Sequence, residues 1–327
     1  MKGIHNIGNT CFINAILQCL YSINDFNKYF SDLNNIKLIN KGNKNYQFYK
    51  CIISNLHLIM SSLNSKNDPS NHVKEICESL KNLSVNGDNI ALNISNFNEH
   101  NDSEEFLSFL FDKIEDYTVD NRLIDLNENV IENEHFYNQF RKKYNIIIDL
   151  FKIQYITQYK CLSCNKLTNL NFNNYINKIE LSISNKNIIS LEKALDYYTK
   201  TKIMEDYHCD KCKAIGQAKE RTLITLSPKY LIIQLNRFNN DGSKINKHIQ
   251  IPGRFSMNDY CHTKKNDIYK LISVTCHIEF NLFSGHYISV LRGKKNKWYI
   301  CDDDNVNECS NTDIIHKNGY ILFYKKE

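Results

Sequence analysis

The sequence predicts an α+β fold in which a helical N-terminal half packs on a mostly antiparallel C-terminal sheet. Three observations carry this. Apolar residues recur at helical spacing up to about residue 120. From about residue 146 short runs rich in Ile, Val, Tyr and Phe take over. Only one helical stretch, at about 190–199, interrupts those runs.

The first element begins in the glycine-punctuated stretch Gly3–Leu20. There Ile13, Ile16, Leu17 and Leu20 fall at i, i+3, i+4 and i+7, one face of a helix, after an Asn9-Thr10 capping pair. Cys11 then lies in the first turn. Free backbone N–H groups and the positive helix end favour a thiolate there, the nucleophilic form of cysteine. A buried packing cysteine fits this stretch equally well. Asn-rich connections follow at about 34–47, 64–72 and 86–101. The next clear helix, Asp102–Glu115, presents Phe106, Leu107, Leu110 and Ile114 on one face, and Asp102 with Glu105 makes a D-x-x-E capping box. Strand-forming runs occupy 146–160, 172–183, 221–226, 230–238, 268–280, 286–292, 297–302 and 319–325.

Bulk properties narrow the class. A chain of 327 residues, 42% hydrophobic and 24% charged, is an ordered globular protein of two or three subdomains. The net charge of +5 is spread without a long basic run, and no basic face with interleaved aromatics can be located, so no nucleic-acid partner is expected. No apolar run approaches the ~18 residues of a membrane helix, and Met1–His5 is no signal peptide. A soluble, intracellular monomer, cytoplasmic or nuclear, is the expectation. Twelve cysteines without a secretory signal point to reduced thiols, four of them paired in C-x-x-C spacing.

Two constellations carry chemistry. His286 opens a strand that a Gly293–Asn296 turn joins to the strand beginning at Lys297. Antiparallel pairing sets His286 beside Asp302 or Asp303, the acceptor an imidazole needs if its other nitrogen is to face a thiol. His277 is the competing base. The second constellation is Cys161/Cys164 with Cys209/Cys212, two knuckles separated by 44 residues. Together they supply four thiolates for one structural zinc. Asn6, five residues before Cys11, reads alone as a turn residue; near a nucleophile its amide could also donate to an oxyanion.

These residues resemble the ubiquitin-specific proteases, papain-like cysteine deubiquitinases. Gly3–Leu20 matches the family's cysteine box, G-L-x-N-x-G-N-T-C-Y-M-N-S-x-L-Q-x-L, almost throughout, and Gly285-His286-Tyr287 with Trp298 to Val306 matches its histidine box. Asp102–Leu107 is similar to the D-A-x-E-F-L segment. Leu231–Phe238, followed by Lys247 and Pro252, is similar to the L-x-x-x-L-x-R-F block. The departures are His100-Asn101 in place of Q-Q and Glu279 in place of a glycine. The resemblance implies a papain-like hand: a helical thumb over 1–145, zinc-bearing β fingers over 146–228, part of the palm at their ends, and an antiparallel β palm over 229–327, one catalytic domain in all. It implies Cys11 as nucleophile, His286 as base, Asp302 as orienter and Asn6 as oxyanion donor, with Asp303 sharing one of the last two roles. Asp102, Glu105 and Tyr287 would meet the ubiquitin tail, whose arginines want carboxylates. The implied activity is hydrolysis of the bond after the C-terminal glycine of ubiquitin, with ubiquitin or ubiquitinated proteins as partners. A deconjugase of another ubiquitin-like modifier and a silent ubiquitin-binding scaffold are the alternatives. Because the cysteine box starts at residue 3, a bare catalytic domain is expected.

Overall fold

A computed structural model describes residues 2–86, 100–119, 136, 138–140, 144–239, 241–264, 266–279 and 285–327. Much of the expected 86–101 connection and residue 280, the end of an expected strand, lie outside the described residues. The N-terminal part is helical as expected: α1 Cys11–Ser22, α2 Asn24–Ser31, α3 Tyr46–Ser65, α4 Ser70–Val85 and α5 Ser103–Tyr117. A two-stranded ribbon, β1 Lys37–Leu38 with β2 Thr118–Val119, closes it.

The expected strand over 146–160 is corrected at its start. Residues Ile146–Phe151 form a helix, α6, and only Ile153–Cys161 is the strand β3. The Ile-Ile-Ile run has strand composition, but the Asn145 side chain caps it by accepting from the N–H groups of Ile147 and Ile148. That satisfies donors a helix start leaves free, and local capping overrides β propensity here.

β3 belongs to a four-stranded antiparallel sheet with β4 Leu167–Ile176, β6 Lys202–His208 and β7 Ile215–Leu226, in the order β4-β3-β7-β6. This is the finger sheet. The palm sheet has the order β13-β12-β11-β10-β14-β8-β5, with β9 Arg254–Ser256 added to β10. Its strands are β5 Ile179–Ser182, β8 Tyr230–Asn236, β10 Ile268–Ile278, β11 His286–Arg292, β12 Trp298–Asp302, β13 Asn305–Cys309 and β14 Gly319–Lys326. Every described pairing in the palm is antiparallel except β5 with β8.

Both faces of the central palm strands β8, β10, β11 and β14 are buried. Tyr230, Ile232, Tyr287, Leu291, Ile321 and Phe323 join the thumb core, whereas Leu231, Ile233, Ile288, Val290, Leu322 and Tyr324 pack with α7 Leu191–Tyr198 and α8 Asp313–Asn318. A strand covered on both faces reads as an unbroken apolar run, which is why Tyr230–Leu235 shows no alternation. On the thumb side α1 lies across β11, β10 and β12, with α5 beside it. The first residue of α1 is thereby carried to the sheet end where β11 begins.

Candidate active site

The site is assembled from three segments remote in sequence. Cys11 heads α1 and is 3% exposed. The expected cap differs in detail: Thr10 is the N-cap, but its hydroxyl accepts from Ile7 N–H and donates to Asn6 Oδ1 instead of capping the helix. Asn9 adopts φ 48°, a left-handed conformation that Asn tolerates better than most residues.

The β11–β12 hairpin pairs Arg292 with Trp298 and Ser289 with Cys301, within one residue of the expected register. His286 therefore meets the end of β12: its Nε2 is 2.6 Å from Asp302 Oδ1 and 4.0 Å from Asp303 Oδ2. The Cys11 thiol on the other side, with the Asp302 carboxylate, pushes the His286 pKa up to about 9 against the opposing effect of burial. An imidazole bonded to Asp302 through Nε2 has Nδ1 left for the thiol.

The competing histidine is placed differently. His277 is 1% exposed, packed edge-on against Phe238 and Tyr287, and burial drives its pKa down to about 3. It stays neutral. Its ring also explains the glycine before His286, since a Cβ on Gly285 would lie 2.1 Å from His277 Nε2.

Asp303, at φ 50°, binds the N-terminal stretch to the palm. Its Oδ2 accepts from Asn6 Nδ2 at 2.9 Å, its Oδ1 from Asn14 Nδ2 at 2.8 Å, and its carbonyl from Ile4 N–H at 2.9 Å. A Cβ on Gly3 would stand 2.3 Å from the Asp304 carbonyl oxygen, so glycine permits this approach. One Asn6 amide proton is thus engaged, while its carbonyl accepts from the N–H groups of Gly8 and Thr10. Sequence reading did not single out Asn14. The available signal was a polar residue on the first turn of a helix that is otherwise apolar around it.

The acidic pair divides. Asp102 caps α5 through Glu104 N–H at 2.7 Å and accepts the Tyr320 hydroxyl at 2.7 Å, and burial raises its pKa to about 6. Glu105 is exposed, and its pKa is raised by partial burial and by Asp102. Tyr287 is 4% exposed, its ring between His277 and Tyr320.

At the far end of the finger sheet the four knuckle cysteines converge. Their sulfurs lie within 4.8 Å of one another, Cys161 to Cys212 at 3.9 Å and Cys164 to Cys209 at 3.6 Å. Tetrahedral thiolates on zinc at ~2.3 Å stand about 3.8 Å apart, so the cluster fits such an ion. The two turns are equivalent: Asn165 and Lys213, each four residues after the first cysteine, take φ 56° and 57°. Backbone N–H groups aimed at the sulfurs lower the Cys209 pKa to about 6, those of Cys212 first, and lower that of Cys161 likewise. Cys164, against the backbone N–H of Lys166, is instead pushed up to about 11 by burial and the neighbouring thiols, so the charge in the cluster settles on Cys161 and Cys209. That favours the metal-binding thiolate.

Comparison with known proteins follows the same lines. Ubiquitin carboxyl-terminal hydrolase 16 of Arabidopsis thaliana is 27% identical over 333 residues, which cover 99% of this chain and 30% of that protein. Ubiquitin carboxyl-terminal hydrolase 17 of Homo sapiens is 25% identical over 328 residues, or 98% of this chain and 55% of the relative. The chain thus spans between 30% and 55% of the length of these curated relatives. Among solved structures, the SAGA Ubp8/Sgf11/Sus1/Sgf73 DUB module bound to ubiquitin aldehyde is similar with a TM-score of 0.76 at 23% identity, covering 100% of this chain and 70% of that one. That likeness is one of fold. The family model described as ubiquitin carboxyl-terminal hydrolase matches residues 2–324, and the chain belongs to that family.

Proposed function

We propose that this chain is a thiol-dependent deubiquitinase that hydrolyses the bond between the C-terminal glycine of ubiquitin and an amine. The observation that carries the reading is the convergence of Cys11, His286 and Asp302, with His286 Nε2 2.6 Å from Asp302 Oδ1 and the Cys11 thiol as the largest influence on the imidazole. Cys11 is the nucleophile: its thiolate adds to the glycine carbonyl carbon, and the carbonyl oxygen becomes an oxyanion. His286, as imidazolium, gives its proton to the leaving lysine amine as the C–N bond breaks, leaving a thioester on Cys11. The neutral imidazole then takes a proton from water, whose oxygen attacks the thioester, and the thiolate departs with the proton left on His286. Asp302 holds the ring by its Nε2–H throughout.

Asn6 donates its second amide proton to the oxyanion, together with backbone N–H groups at the start of α1; one such donor is typically worth ~10²–10³ in rate. Asp303 keeps Asn6 in place through the 2.9 Å bond and completes the environment of His286. Asp102 and Glu105 carry the negative charge that meets the arginines of the tail, and Tyr287 forms the wall beside it. The body of ubiquitin rests on the concave surface that runs from Phe238, Asn236 and Ser182 on the palm to Tyr155, Thr157 and Thr222 on the fingers. The four cysteines hold one structural zinc that fixes the finger sheet and takes no part in the chemistry.

The test is reaction with ubiquitin carrying an electrophilic C-terminus. Wild-type protein is expected to form a one-to-one adduct and Cys11→Ala none; an adduct on Cys11→Ala removes Cys11 from its role. Parallel reactions with other ubiquitin-like modifiers fix the modifier.

A further inference from the structure

Lys244 lies between β8 and β9, facing Phe238 across a single antiparallel bridge, and is 8% exposed. A buried ammonium is costly unless its protons are satisfied. Here all three are: Nζ donates to the His277 carbonyl at 2.5 Å, the Glu279 carbonyl at 3.0 Å and Asn318 Oδ1 at 3.3 Å. Among the described residues no carboxylate pairs with it; the charged and titratable groups nearby are Arg237, Cys276 and the neutral His277. A methionine of similar length would fill this space without the desolvation cost, so the charge is there for what it grips.

What it grips is the sheet end that carries His286. β14 pairs with β10 only as far as Gly319 opposite Cys276. β10 continues two residues further against β11, pairing His277 with Tyr287 and Ile278 with His286. The carbonyls of His277 and Glu279 flank Ile278 beyond the last β14 rung, and each would lack a partner on that side. Lys244 supplies both donors from one atom. Glu279 meanwhile sits at φ 88°, a left-handed conformation that is strained for a non-glycine residue and persists only where neighbours enforce it. The His277 ring, held by the same grip and by Phe238, in turn abuts Gly285, the residue before His286.

We propose that Lys244 is a positioning residue: its ammonium stands in for a missing strand rung and fixes the Ile278–His286 pair, and hence the imidazole, against Cys11. The proposal rests on the reading of Cys11 and His286 given above. Lys244 touches neither substrate nor the reacting atoms; it acts through the backbone of β10. No charge of its own enters the reaction.

The test compares Lys244→Met, His286→Ala and the double variant on a ubiquitin conjugate, and follows alkylation of Cys11 by iodoacetamide across pH. Displacing a catalytic group by about 1 Å costs roughly 10²-fold. Lys244→Met is therefore expected to lower kcat by roughly 10- to 100-fold with KM little changed, and to slow alkylation at neutral pH. In the His286→Ala background it should add nothing, because the group being positioned is gone. Wild-type kcat in Lys244→Met, or an equal further loss in the His286→Ala background, overturns the proposal. Full activity in His286→Ala alone overturns the underlying reading, and the role of Lys244 with it. If Lys244→Met does not fold, Lys244→Gln, a shorter neutral donor, is expected to lower kcat by less than that, and its loss should disappear in the His286→Ala background; a loss of the same size there overturns the proposal.

Discussion

At the scale of single residues the site depends on how each polar atom is committed. Asp302 spends its Oδ1 on His286 Nε2, and Asp303 spends both oxygens on Asn6 and Asn14. The first carboxylate tunes the imidazole and the second holds the chain beside Cys11. Asp302→Asn keeps the shape but removes an anion that, after the Cys11 thiol, raises the His286 pKa to about 9. A lower imidazolium pKa means that the proton needed by the leaving amine is lost sooner as pH rises. The alkaline limb of kcat/KM for Asp302→Asn is therefore expected at lower pH than in wild type, with the maximum reduced by on the order of 10²-fold or more. An alkaline limb that stays in place would remove Asp302 as orienter. Asp102 gives the opposite kind of test. Burial raises its pKa to about 6, so it is charged above that value and neutral below. KM for a ubiquitin conjugate should rise below about pH 6, and in Asp102→Asn that acid-side rise should shrink; an unchanged profile would take Asp102 out of tail binding.

At the scale of elements, what the sequence made legible was what local physics determines. The apolar spacing after Cys11 specified α1, the turn at Gly293–Asn296 specified a hairpin register within one residue, and the paired C-x-x-C spacing specified a four-sulfur cluster. The strands β6 and β13 were missed, and for one reason. Lys202–His208 is exposed along nearly its whole length and Asn305–Cys309 along most of it, so neither carries the apolar alternation that marks a half-buried strand. Their pairing comes from partners distant in sequence. Lys244 was illegible for a related reason, since a lysine in a polar loop shows no sign that tertiary structure will bury it among carbonyls. β6 has little apolar burial to hold it, which places its order on the cysteines at its end. Removing zinc is then expected to unfold the finger sheet selectively, because structural zinc in small knuckles is worth ~10–16 kcal/mol. Chelation, or Cys209→Ser, should release one zinc per chain and raise KM far more than it lowers kcat. Native near-ultraviolet dichroism and unchanged KM after complete zinc loss would show that the fingers hold themselves.

For the molecule as a whole, one sheet serves two cores, and the candidate site sits where the thumb core meets the sheet's end. α1, which starts at Cys11, is packed on β11, which starts at His286, so closure of thumb on palm and assembly of the thiol–imidazole pair are one event. Folding stability should then carry the signature of that pair. His286 has a folded pKa of about 9 against an ordinary value of 6.5. The folded protein therefore holds more protons than the unfolded chain between those values, and stability falls as pH rises through that window. The contribution is fully present below about pH 6.5 and gone above about pH 9. Denaturant unfolding of wild type and His286→Gln across pH 6–10 should show a stability difference that is largest at the acid end and shrinks steadily toward the alkaline end. In Cys11→Ser, which lacks the largest cause of the shift, the same difference should vanish at lower pH. A difference that is flat across the range would mean that thumb and palm close without coupling Cys11 to His286, and the pair would then owe its contact to packing alone.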